Sequence, residues 1–192
     1  MKFFKRATQC LIEIALSAAL YIAFFYFNGY ITPYFENARG VNWIFIPAGL
    51  RIFLTLIFNY PGAIGLSIAS VLIFFIGVYE MDFVTAIGIA AISGLAPLLG
   101  RHFAVHNLQV RPDLSNITIK QLISSIVAYA LLSSGLHQLW FEMRGMDSAS
   151  GNHFIAMFTG DVIGSILFVA IIKYGIDLIK GRLGKENLID PE

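Results

Sequence analysis

Residues 43–60 read WIFIPAGLRIFLTLIFNY, a run long and apolar enough to cross a bilayer that nonetheless carries Arg51 inside it. An arginine at that depth costs about 3 kcal/mol on insertion scales, and several times more on an isolated helix. It therefore needs a partner or a polar site. The best partner elsewhere in the chain is Asp161, in FTGDVIGSILF at residues 158–168. Charges kept inside a membrane despite their cost point to function, and these two frame the reading of everything around them.

Composition sets the solvent. Of 192 residues, 57% are hydrophobic and 13% charged, and the mean hydropathy is +0.74, too little polar surface to cover a globule in water. Inside a bilayer only helices or closed barrels satisfy the backbone. The apolar runs here are continuous and near helix-crossing length rather than short and alternating, so the expected fold is all-α, a single domain of six transmembrane helices in a lipid bilayer. No basic block with interleaved aromatics suggests nucleic acid. The lone Cys10 has no internal disulfide partner. The basic start and the small residues at 17–19 imitate a secretory signal, but Glu13 interrupts the would-be apolar core and the uncharged run continues to Phe35, so a retained first helix is expected.

The six expected spans are 7–27, 43–60, 61–79, 83–100, 118–140 and 153–176. Charges between them give an independent check. Lys2, Lys5, Arg6, Arg101, Arg111, Lys120, Lys173, Lys180, Arg182 and Lys185 fall on one side, and only Arg39 and Arg144 on the other. That asymmetry places both termini in the cytoplasm of a bacterial inner membrane. Asn59-Tyr60-Pro61-Gly62 predicts a tight turn between spans two and three, Thr118 to Gln121 has capping-box spacing, and Pro97 is placed to kink span four. Asn116-Ile117-Thr118 matches a glycosylation acceptor but lies on the cytoplasmic side, and is discounted.

Spans two and six run in the same direction, so depths compare directly. Arg51 and Asp161 lie eight and seven residues beyond Trp43 and Phe154, about 12 and 10 Å of helix at 1.5 Å per residue. They share a level. Two readings follow: a buried ion pair that fixes packing, or an outward polar cavity in which Arg51 holds an anionic group of a small ligand and Asp161 orients it or exchanges a proton. Gly160 and Gly164 would allow close approach at the aspartate, while Pro47, Ala48 and Gly49 would loosen the outer end of span two. Glu13 reaches about 9 Å in from the other face, a separate inner acid.

Other polar residues carry weaker signals. His102 and His106 have metal-ligand spacing but no third ligand nearby, so no metal is assigned, and no motif names a cofactor. His137 and His153 border the outer loop as ordinary or pH-sensitive rim residues. Ser93-Gly94 with His137 suggests an intramembrane serine protease only faintly, since Ala91 stands where a leading glycine would be, and no catalytic residue is assigned. Ala15, Ala19 and Ala23 form a small-residue ladder on span one, suited to helix packing or to docking another subunit.

Two stretches together, Trp43-Ile44-Phe45-Ile46-Pro47-Ala48-Gly49 and Gly160-Asp161-Val162-Ile163-Gly164, resemble the MASE1 family of bacterial integral-membrane sensory domains, over roughly residues 40–100 and 150–176. The resemblance implies a sensor whose Pro47, Gly49, Asp161 and Gly164 match family positions, Arg51 having no counterpart. Family members usually have more spans and an attached cytoplasmic output domain; here a signal would pass to a separate membrane or cytoplasmic partner. Six spans, both ends inside and the alanine ladder also resemble the substrate-binding subunits of energy-coupling-factor vitamin transporters. That likeness implies docking through Ala15, Ala19 and Ala23, and an outward site for a vitamin or cation.

Overall fold

The computed structural model describes residues 2–38, 40–77, 81–115 and 117–186. Arg39, Glu80, Asn116 and the tail from 187 lie outside them. Six helices account for most of the described chain: α1 Lys2–Ile31, α2 Pro47–Phe58, α3 Tyr60–Phe75, α4 Phe83–His106, α5 Ile119–Met143 and α6 Gly151–Glu186. Four, α1, α4, α5 and α6, are long and apolar enough to cross a membrane, and α2 and α3 are shorter apolar helices. The chain is thus a multi-pass helical membrane protein.

Gly62 packs against the Leu54 carbonyl and α2 gives way to α3 at Asn59 alone, whose φ of 55° turns the backbone back on itself. Close approaches then fix the directions of the other helices. Gly94 meets Ala63, Gly88 meets Trp140 and Gly100 meets Tyr129, so α3 to α5 run antiparallel in sequence order. Gly65 against Ile14 and Ser17 sets α1 parallel to α3, and Gly49 against Ser165 and Phe168 sets α2 parallel to α6. One end of the bundle, here the rim, therefore gathers the α1–α2, α3–α4 and α5–α6 connections. The other end is the base.

α2 is the hub, touching every other helix. Its apolar sides lie in two cores, one with Tyr21, Leu50, Leu54, Leu66 and Phe168, the other with Ala48, Ile52, Ala96, Ala104 and Tyr129. Thr55 ties it to α4 by donating to the Pro97 carbonyl at 3.2 Å. Pro97 itself lies inside α4 without ending it.

The largest departure from the expected spans is at 43–46. A helix was expected from Trp43, but a short antiparallel ribbon at the rim, β1 Glu36–Ala38 with β2 Val41–Asn42, feeds an extended segment, and helix begins only at Pro47. Irregular backbone at membrane depth survives only where protein satisfies it. Here Trp43 N–H donates to the Phe35 carbonyl (2.8 Å), Phe45 N–H to Gly160 (3.1 Å) and Ile46 N–H to Asn28 Oδ1 (3.0 Å). The glycines of α6 make room: a methyl on Gly160 would collide with the Asn42 carbonyl, and one on Gly164 with that of Phe45. Gly160 and Gly164 thus admit backbone. Pro47, Ala48 and Gly49, expected to loosen this end of the helix, are instead locked; a methyl on Gly49 would lie 2.5 Å from Phe168 Cβ.

The remaining helices mostly extend past the expected limits. α1 begins and ends several residues beyond 7–27, α4 continues to His106, and α6 runs 36 residues, about 54 Å. α5 opens on the anticipated capping box, Thr118 Oγ1 accepting from Gln121 N–H while Gln121 Oε1 accepts from Thr118 N–H.

Candidate functional site

A cavity opens among the helices toward the rim, with about 80 Å³ available to the centres of water molecules, room for several. Gly40, Asn42, Met81 and Met146, all from rim connections, line it, together with deeper side chains of α1 to α6 that include Tyr21, Arg51, Ser93, His137 and Asp161. Arg51 and Asp161 are 6% and 1% exposed, and among the described residues they are the charged side chains classed as buried.

Arg51 is held on several sides. Its Nη2 donates to Tyr21 Oη and, at 3.4 Å, to Ser93 Oγ. The guanidinium carbon lies 4.9 Å from the Tyr21 ring centre and 5.1 Å from that of Phe45, so two aromatic rings take up the cation. A desolvated contact of this kind contributes about 2 kcal/mol. Tyr21 comes from α1 and Phe45 from the extended segment, so the departure from helix at 43–46 supplies one of the two rings.

Asp161 does not complete the set. Among the described residues the ion pair closing within 4.0 Å is Arg144 with Asp82, and Arg51 forms none with Asp161. Direct pairing, one of the two readings of the sequence, is absent. Both residues line one cavity, and each keeps a buried atom without a hydrogen-bond partner, Nε in Arg51 and Oδ2 in Asp161. Ser165 Oγ is buried and unpartnered too, while the Ser133 hydroxyl interacts with both Asp161 and Tyr129, and Tyr129 with Arg51, without closing to full hydrogen-bond geometry. Buried polar atoms are normally satisfied, so the unpartnered atoms of the two charged side chains in the lining need a cause.

His137 lines the cavity, buried, with Nδ1 2.8 Å from the Ser133 carbonyl; a carbonyl only accepts, so that nitrogen carries the proton. Ser93, considered with His137 as a protease pair, is also in the lining, committed to Arg51. The other expected residues lie elsewhere. Glu13 is half-buried near the base and accepts from Gln9 (2.9 Å), and His153 stands at the start of α6 outside the lining. Ala15, Ala19 and Ala23 face outward from α1, exposed, so the ladder is not an internal packing seam. His102 and His106 stack at 4.0 Å near the base end of α4.

Tyr21, Asn28, Tyr129, Ser133 and Ser165 were not singled out from the sequence. A signal for them exists: Ser125, Tyr129, Ser133 and His137 recur every four residues on α5, as do Ser17 with Tyr21 and Asp161 with Ser165. Polar stripes at helical spacing in otherwise apolar spans face a common interior.

No protein-family profile, curated protein or solved structure matches this chain.

Proposed function

We propose that this chain is a six-crossing protein of a bacterial inner membrane, with both termini in the cytoplasm, and that its cavity binds a small ligand through an anionic group held by Arg51. It acts as a sensor that reports occupancy, as the MASE1-like motifs would imply, through a membrane or cytoplasmic partner. The observation that carries this reading is the cavity itself: two buried opposite charges share it without touching, each with an unsatisfied atom. A purely structural pair would be expected to close.

Six crossings are compatible with the short α2. Its 12 residues make about 18 Å of helix and residues 43–45, non-helical ahead of the Ile46 cap, add at most about 10 Å, together near the 30 Å hydrocarbon thickness. The charge asymmetry of the connections supports the orientation. An impermeant maleimide added to intact cells should label a Ser150→Cys variant and leave the native Cys10 unlabelled; the reverse pattern would invert the topology.

Outward exposure of Ala15, Ala19 and Ala23 favours a second reading, a substrate-binding subunit of a vitamin or cation importer that docks through α1. Mass spectrometry of small molecules that co-purify with the intact protein, repeated on Arg51→Ala, tests the site common to both readings. A metabolite lost in the variant supports it, and identical profiles would remove it.

A further inference from the structure

We propose that the ligand is a small zwitterion, with its anionic group at Arg51 and its cationic group at Asp161. The inference rests on the reading of this cavity as a ligand site, and it comes from what each buried charge lacks.

Arg51 is clamped between the Tyr21 and Phe45 rings and committed through Nη2 to Tyr21 and Ser93, so it cannot swing to Asp161 without losing those contacts. The gap between the charges is therefore built in. A bare anion bound at Arg51 would face Asp161 across the same cavity and meet its like charge where little solvent screens it. A bare cation at Asp161 meets the same objection from Arg51. A molecule carrying both charges answers both side chains, so the cost of desolvating each of its charges is offset by a fixed opposite charge. It also offers an acceptor for Arg51 Nε and a donor for Asp161 Oδ2, the two atoms left unpartnered.

Size narrows the class. Space for the centres of several waters suits a molecule of a few heavy atoms with its charges one or two carbons apart, an amino acid or betaine of the smallest kind. Ile73, Phe74 and Met157 in the lining suit a short aliphatic portion and leave no further charge to satisfy a longer polar one.

The test uses the full chain in lipid nanodiscs, with calorimetry and thermal shift as readouts. Probes are glycine, β-alanine and glycine betaine as zwitterions, with acetate and methylammonium as the separated halves. At least one zwitterion should bind ten-fold or more tighter than either half. Asp161→Asn should weaken that zwitterion ten-fold or more and strengthen acetate relative to wild type, a gain of binding that a misfolded variant cannot show. Arg144→Ala, at the rim ion pair, should leave all affinities within two-fold. Acetate binding as tightly as every zwitterion to wild-type protein would overturn the inference while leaving the Arg51 anion site standing. Methylammonium binding as tightly would overturn it in favour of a cation site at Asp161. No binding by any of the five probes would overturn both the inference and the cavity reading.

Discussion

Among the described residues, two arginine–aspartate couples, one at the rim and one inside the bundle, are solved in opposite ways. At the rim, Arg144 Nη2 meets Asp82 Oδ1 at 3.0 Å, Arg144 Nε donates to Thr85 Oγ1 at 2.9 Å, and the aspartate caps α4 by accepting from Thr85 N–H at 3.1 Å. Every strong group there has a partner, yet the pair is well exposed to solvent and adds little to stability. Inside the bundle, where a closed pair would matter most, Arg51 and Asp161 stay apart and incompletely bonded. Opposite charges lining one cavity and kept unpaired fit the binding cavity proposed above, whereas a packing device would have them touch.

Breaking the buried couple should have the largest effect. Arg51→Ala leaves Asp161 as an uncompensated buried charge and should cost about 3–5 kcal/mol, read as a large loss of Tm in detergent or nanodiscs. Adding Asp161→Asn should return part of that loss; strictly additive losses would mean that the two charges do not sense each other across the cavity.

Next in size is Gly164→Ala, which forces a methyl into the Phe45 carbonyl and pushes the extended segment off α6. Overpacking of this kind costs about 1–3 kcal/mol. It also displaces the Phe45 ring from Arg51, so ligand retention should fall along with Tm. Unchanged retention would separate the segment from the site.

At the rim, Arg144→Ala should give the smallest thermal change. Even that should fade in about 1 M salt, where the screening length shrinks to about 3 Å. A rim variant as damaging as Arg51→Ala would erase the contrast between the couples.

The rim couple also sets an acid response. The hydroxyl and amide of Thr85, helped by Arg144, hold the Asp82 carboxyl down to about 2, against an ordinary value of 3.8. Because the folded value is the lower one, its contribution is complete above about pH 4 and is lost as pH falls toward 2. The Asp82→Asn protein should therefore lack that part of the acid-induced fall in Tm, as a comparison of the two melting curves between pH 5 and 2 will show.

Much of this architecture was legible in the sequence. Long apolar runs located the six helices, the Asn59–Gly62 turn and the Thr118 cap marked their ends, and Arg51 and Asp161 stood out as charges sharing an interior, although the helix-rise count between them began at Trp43, before helix starts. The extended segment was not legible, because four apolar residues, Trp43 to Ile46, have no period that separates helix from buried strand. Its path is dictated by Asn28, Gly160 and Gly164, which lie far away in the chain. The gap between the charges was hidden for a related reason: depth follows from counting residues, but how each helix is turned about its axis depends on tertiary packing. The four-residue recurrence from Ser125 to His137 would have oriented α5 correctly.

The Tyr21 clamp on Arg51 bears on how such a chain is made. Synthesis delivers α1 first, so Tyr21, whose ring and hydroxyl shelter the guanidinium in the finished fold, is already made when α2 emerges from the ribosome. The acidic residue comes with the last helix. A nascent intermediate lacking α6 can therefore hold its most expensive side chain in the membrane before the counter-charge has been translated.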